Sequence, residues 1–127
     1  MTLLTVLLLE SDPTARAKLA DYLRDCGYRV VETVNTDEAA KYLASDGALD
    51  FPLIDAAAPG AISAFAIAAD IRRMRSRADV VLVGSIAAAA QSAAEMCDNG
   101  PGLKRPYDPS AVVDLIRQGR ARRQRDH

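Results

Sequence analysis

The sequence predicts a doubly wound α/β domain, five parallel strands with helices on both faces. Short apolar runs recur along its 127 residues, each is followed by a helix-capping residue and an apolar stripe at helical spacing, and the alternation repeats five times. Runs that are apolar throughout, rather than at every second residue, suit strands buried on both faces of a parallel sheet. Half of the residues are hydrophobic, enough for one compact core.

Strand β1 is placed at Leu3 to Leu9. Asp12 then caps helix α1 with Pro13 at its first position, Leu19, Leu23 and Cys26 share a face, and Gly27 ends it. The valine-rich stretch Tyr28 to Val34 is β2. Asn35 and Thr36 cap α2, Asp37 to Ala44, in which Ala39, Ala40 and Leu43 turn inward. Asp50 to Ile54 forms β3 and ends on Asp55, with Pro52 awkward in a central strand because it cannot donate a ladder hydrogen bond. Ile67, Ile71 and Met74 mark α3, Ala64 to Arg75, whose closing arginines suit the negative end of the helix dipole. Val80 to Val83 is β4, and after Ser85 the alanine-rich stretch Ile86 to Ala94 forms α4. Gly102 to Lys104 is a minimal β5. Asp108 and Pro109 start α5, which carries Val112, Leu115 and Ile116 before Gly119. Residues 1 to 119 are expected as the domain and 120 to 127 as a basic, disordered tail.

Charge and cysteine content exclude several functions. Basic and acidic residues nearly cancel, 16 against 17, but five arginines follow Ile116, leaving an acidic body and a basic end. That end reads either as a solvated extension of α5 or as an attraction for anionic partners. No pair of DNA-reading helices follows it, so neither nucleic acid binding nor an output domain is expected. Cys26 and Cys97, with His127 the single histidine, offer no zinc spacing, and the thiols are expected to be reduced and buried. Leu3 to Leu9 is too short to cross a bilayer and has no signal-peptide flanks, so a cytoplasmic location away from membranes is expected.

In open parallel sheets function gathers at the carboxyl ends of the strands. Glu10, Asp55, Gly84, Ser85 and Arg105 all fall just past predicted strand ends. Over about residues 4 to 119, three stretches in this order resemble the receiver domains of two-component response regulators: Val6 to Pro13 (VLLLESDP), Asp50 to Gly60 (DFPLIDAAAPG) and Leu103 to Pro109 (LKRPYDP). The resemblance implies a flavodoxin-like sheet of order 2-1-3-4-5. It implies a stand-alone receiver that is not an enzyme beyond its own phosphorylation, with Asp55 as phosphoacceptor and Mg²⁺ held by Glu10, Asp55 and the Ala57 backbone carbonyl. A sensor histidine kinase or phosphotransfer protein would be the donor, and a downstream protein or a second copy would dock on the α4-β5-α5 face.

The same resemblance locates departures that make the site atypical. The second acid after β1 is Ser11, the hydroxyl position after β4 falls on Gly84 with Ser85 one place later, the lysine before the proline is Arg105 beside Lys104, and the switch aromatic is Gly102. Losing a carboxylate weakens a site whose chemistry is mainly electrostatic, so Mg²⁺ is expected to bind weakly or not at all. Arg105 either contacts a phosphoryl group or pairs with unmodified Asp55. Each residue keeps a plainer reading: Asp55 a relic carboxylate, Glu10 an acid flanking a helix, Ser85 the N-cap of α4, and the alanine run a helix packed on the sheet rather than a docking face. Two other functions compete: a phosphorylation-independent pseudo-receiver that binds proteins, and an unrelated flavodoxin-like carrier or enzyme. The latter lacks a glycine-bearing phosphate loop after β1.

Overall fold

Every residue of Thr5–Leu9 is buried, as the unbroken apolar run requires of a strand covered on both faces. In the computed structural model, which describes residues 3–100 and 107–125, this strand is β1. It is followed by α1 (Pro13–Asp25), β2 (Arg29–Thr33), α2 (Thr36–Ala44), β3 (Phe51–Asp55), α3 (Ala64–Met74), β4 (Val81–Val83), α4 (Ile86–Asn99) and α5 (Pro109–Arg125). The described strands form one parallel sheet of order β2-β1-β3-β4. The predicted β5, Gly102 to Lys104, lies outside the described residues, as do Gly102 and Arg105 themselves.

Pro52 does sit in a central strand, opposite Leu7 of β1. The entry to β3 is secured instead by Asp50: its amide donates to the Thr5 carbonyl at 3.0 Å, its carboxylate accepts the Thr5 amide at 2.7 Å, and its carbonyl accepts the Asp79 amide at 2.9 Å. A residue just outside the strand thus makes up for the missing proline donor.

Side-chain caps start all five helices. Asp12, Asn35, Ser63, Ser85 and Asp108 each accept an amide hydrogen bond from three residues on, at 2.8 to 3.1 Å. Glu38 returns a bond to the Val34 amide, completing a capping box at α2. α5 continues through Gly119 to Arg125, so the backbone of 120–125, expected from sequence as a disordered tail, is helical. Arginine, glutamine and alanine are strong helix formers and outweigh the single glycine.

The two faces of the sheet carry different layers. Leu7, Leu9 and Ile54 pack with α2 and α3 through Ala39, Leu43, Ile67 and Ile71. Val6, Leu8, Leu53 and Val83 pack with α1, α4 and α5 through Leu19, Leu23, Ala90, Ala93, Val112 and Ile116. The inner face of α4 is the alanine stripe Ala89, Ala90, Ala93 and Ala94, all buried. Small side chains let the helix lie close on the core, while Ala87 and Gln91 stay exposed on its outer side. The expectation of two free thiols is corrected. Cys26, the C-cap of α1, and Cys97, in the last turn of α4, form a disulfide because α4 packs on the α1 face and brings their Cα atoms to 5.3 Å. No helix among the described residues is long and apolar enough to cross a membrane.

Candidate functional site: an acidic cleft at the strand ends

The carboxyl ends of β1, β3 and β4 converge on an open cleft of about 410 Å³ lined by Glu10, Ser11, Asp12, Asp55, Ala57, Gly84, Ser85 and Ile86. Sequence-predicted Glu10, Asp55, Ala57, Gly84 and Ser85 are all brought together there. Arg105 lies outside the described residues.

Glu10 directly follows β1 and is buried, with 7% of its surface exposed. Its amide donates to the Thr33 carbonyl of β2 at 3.1 Å, which continues the strand ladder one residue and holds its backbone in place. Its Oε2 accepts the Asp12 amide at 2.8 Å, and its carbonyl accepts a 3.0 Å bond from the Arg16 guanidinium. Arg16 also stands 3.7 Å from Glu32, so a cation braces the outer side of this acid. Sequence reading treated Asp12 only as a cap. It caps and it also borders the cleft, and an acid two positions after Glu10 was the signal available.

Asp55 is the last residue of β3 and half-buried. The next amide, Ala56, donates to the Val83 carbonyl at 2.8 Å, so β3 and β4 remain zipped up to the cleft floor. Asp55 Oδ1 accepts the Ala57 amide at 3.0 Å and its carbonyl accepts the Ala58 amide at 3.0 Å, forming a tight turn that presents Ala57 at the cleft. The rest of the loop is fastened to the start of α2. Thr36 donates its amide to the Pro59 carbonyl at 2.8 Å and its hydroxyl to the Ile62 carbonyl at 2.7 Å. Gly60 has φ +144°, and a Cβ there would lie 1.8 Å from Thr36 Oγ1, so only glycine permits this approach. Among the described residues Asp55 is in no salt bridge.

On the β4 side the two candidate hydroxyl positions separate. Ser85 Oγ accepts the Ala88 amide at 3.1 Å, and the residue acts as the α4 cap. Gly84 carries no side chain, and a Cβ built there meets no heavy atom within 4 Å. The rim at position 84 is therefore open space, and Ser85 beside it lines the cleft while capping α4.

Hard cations such as Mg²⁺ need oxygen donors and accept one or two carboxylates with water or phosphate completing the shell. Glu10 and Asp55, with the Ala57 carbonyl, could supply that minimum in this cleft. No group of three or more histidine, cysteine or acidic side chains is assembled as a metal cluster among the described residues. The donor set thus fits a lightly held, solvated ion and does not form a closed protein cage.

An acidic cleft at the carboxyl ends of a parallel 2-1-3-4 sheet is the arrangement of response-regulator receiver domains, and this chain has the receiver-domain fold. The response regulator TrrA of Thermotoga maritima, solved in complex with Mg²⁺-BeF, is similar over 63% of this chain and 68% of its own, at 29% identity and a TM-score of 0.57. TrrA in complex with the histidine kinase ThkA matches at 29% identity and a TM-score of 0.56, over 63% of this chain and 67% of that one. A CheY-like receiver domain protein of Methanospirillum hungatei JF-1 covers 99% of this chain and 100% of its own, at 13% identity and a TM-score of 0.61. No protein-family model and no curated protein matches the sequence.

Proposed function

We propose that this domain is a phosphoryl-accepting receiver of a two-component phosphorelay, with Asp55 as the acceptor and a histidine kinase or phosphotransfer protein as the donor. The observation that carries the reading is the position of Asp55: the end of a central strand, free of salt bridges among the described residues, on an open cleft shared with Glu10 and Asp12. In the reaction an Asp55 carboxylate oxygen attacks phosphorus, the bond from phosphorus to the donor's imidazole nitrogen breaks, and the electron pair leaves with the imidazole. A Mg²⁺ ion, when bound, would offset charge on the phosphoryl oxygens. Glu10, Asp55 and the Ala57 carbonyl would hold it weakly, since position 11 is serine. Gly84 offers no donor; Ser85 Oγ accepts the Ala88 amide and keeps its own O–H to donate, but it is held at the first turn of α4, so the phosphoryl group receives limited help from that rim. Arg105 is proposed as the cation that meets the phosphoryl group. The domain catalyses nothing beyond its own modification, and it signals through the protein that docks on it.

A second reading is a phosphorylation-independent binding module. It is favoured by a groove of about 320 Å³ between α4 and α5, lined by Ala87, Gln91, Pro109, Ser110, Val113, Asp114 and Arg117. A downstream protein or a second copy would seat there without any chemistry at Asp55.

Incubation with Mg²⁺ and a small phosphoryl donor such as phosphoramidate, followed by intact-mass measurement, separates the two. The receiver reading expects the gain of one phosphoryl mass, lost on chelation of Mg²⁺ and absent in Asp55→Asn. An unchanged mass with both the small donor and a phosphorylated histidine donor overturns it in favour of the binding module.

A further inference from the structure

The disulfide ties together two helix ends that are distant in sequence. Cys26 caps the C-terminus of α1 and Cys97 lies 71 residues later in the last turn of α4. A second tie runs beside it, the Tyr28 hydroxyl donating to the Met96 carbonyl. Both fasten the far end of α4 to the turn between α1 and β2. At its near end α4 begins on the carboxylate cleft, where Ser85 caps it and Ile86 lines the wall. One helix therefore runs from the sulfur pair to the candidate phosphoryl site.

Two features make the sulfur tie matter to that helix. Its inner face is Ala89, Ala90, Ala93 and Ala94, which bury little apolar surface per residue and cannot interlock with the sheet as leucines would. Its C-terminal turn carries Glu95 and Asp98 and no basic residue, so acidic side chains stand at the negative end of the helix dipole, which loosens that turn. The covalent link closes the end that the charges open.

We propose that Cys26 and Cys97 are a reversible thiol–disulfide modification site, oxidised by exchange with a low-molecular-weight disulfide, whose state sets how firmly α4 is held along its length up to the cleft. Cys97, 4% exposed against 0% for Cys26, reacts first when the last turn of α4 opens. Its thiolate attacks one sulfur of the small disulfide and expels a thiolate. The Cys26 thiolate then attacks the Cys97 sulfur of the mixed disulfide, expels the second thiolate and forms the internal bond. Two protein thiols lose two protons and two electrons, and the small disulfide becomes two thiols. The redox step stands independently of the receiver reading; only its value to signalling rests on that reading.

The full chain is equilibrated in glutathione buffers from reducing to oxidising, its thiols are counted by alkylation and mass, and amide exchange along α4 is followed in each state. The expected result is two alkylated thiols in reducing buffer and none in oxidising buffer, interconverting with the far-ultraviolet circular dichroism unchanged. Amides from Ala88 to Cys97 are expected to exchange about tenfold faster or more in the reduced state, the signature of a helix opening locally. Cys97→Ser and the Cys26→Ser/Cys97→Ser double variant should match the reduced protein in every buffer. A bond that yields only in denaturant, two free thiols at every ratio, or equal α4 exchange in both states each overturns the proposal. Phosphoryl incorporation measured in parallel keeps the two ideas apart, because its absence in both redox states counts against the receiver reading and leaves the thiol result intact.

Discussion

Replacing Ser85 with alanine removes the 3.1 Å bond to the Ala88 amide and leaves the start of a 14-residue helix without its cap. Losing such a cap costs about 1 kcal/mol. With an unfolding entropy of about 2.1 cal/mol/K per residue, a 127-residue domain should melt about 4 °C lower. Phosphorylation of Asp55 should slow only modestly, because Ser85 Oγ is anchored on the Ala88 amide, which limits where its remaining O–H can point. Gly84→Ser is the informative partner. A Cβ there meets nothing within 4 Å, and Gly84 is not among the positive-φ glycines, so serine enters without clash or backbone strain. Its hydroxyl would stand on the rim of the cleft that holds Asp55. A donor aimed at developing charge is worth about a hundredfold or more in a fully shaped site, so about tenfold faster phosphorylation is expected in this open one. Thermal melts followed by circular dichroism and initial rates of phosphoryl gain by intact mass provide the two readings. A Ser85→Ala variant that melts normally but phosphorylates tenfold slower would show that the hydroxyl function belongs to Ser85 and refute the assignment, as would a Gly84→Ser variant with an unchanged rate.

Two further perturbations test the cleft and the α4 anchor. Ser11→Asp returns a carboxylate to the exposed cleft position beside Glu10 and Asp12, and a nearby unit charge contributes about 1 kcal/mol in water and several in a partly shielded site. Mg²⁺ affinity measured by calorimetry should therefore rise about tenfold or more, while the metal-free variant melts lower through carboxylate repulsion. Unchanged affinity would detach position 11 from the metal. Burial raises the Tyr28 hydroxyl pKa above its usual 10.0, so the folded state favours the neutral phenol. Above pH 10 the unfolded chain sheds this proton first, so the stabilisation present below pH 10 falls away as pH rises toward the folded pKa. Tyr28→Phe should cost about 1 kcal/mol at neutral pH by losing the buried bond to the Met96 carbonyl, and should flatten the alkaline loss in urea titrations. An equally steep alkaline slope in the variant would assign that loss to another group.

The features legible in the sequence are those whose cause is local. Asp12 with Pro13, Asn35, Ser85 and Asp108 each cap the helix that the sequence places after them, because a short polar side chain beside an apolar stripe has few other uses. The run Leu3 to Leu9 could be read as a doubly buried strand because no polar residue but Thr5 interrupts it, although the strand itself begins at Thr5 and Leu3 and Leu4 are exposed. Asp55 could be placed at a strand end for the same reason. The disulfide was not legible, since two cysteines 71 residues apart meet only if α4 packs against α1, a choice made by tertiary contacts. The role of the alanine run was equally hidden. A stretch of identical small residues has no hydrophobic contrast, and only Gln91 and Glu95 mark its outer side. An amide three residues away gives Ser85 a part in the fold that its neighbour Gly84 does not share.

The placement of α4 is the point at which the doubly wound pattern and this chain part. Right-handed crossovers put α1 on one face of the sheet, and α2 and α3, whose connections run in the opposite sense along it, on the other. A further unit stepping outward from β4 in that same sense would add its helix beside α3. Instead α4 lies in the layer of α1 and α5, and Val80 and Leu82, which join the α2–α3 core from the β4 side, stay only partly buried. The helix that borders the acidic cleft is thus also the helix that forms one wall of the α4–α5 groove and carries one sulfur of the disulfide. On the readings proposed above, an event at Asp55 or at Cys97 that displaces α4 would change the groove as well, because Ala87 and Gln91 in that wall belong to the same helix. On the receiver reading proposed above, signal transfer by this route would need no rotating aromatic side chain, which would give a physical role to the one element the sequence made hardest to interpret.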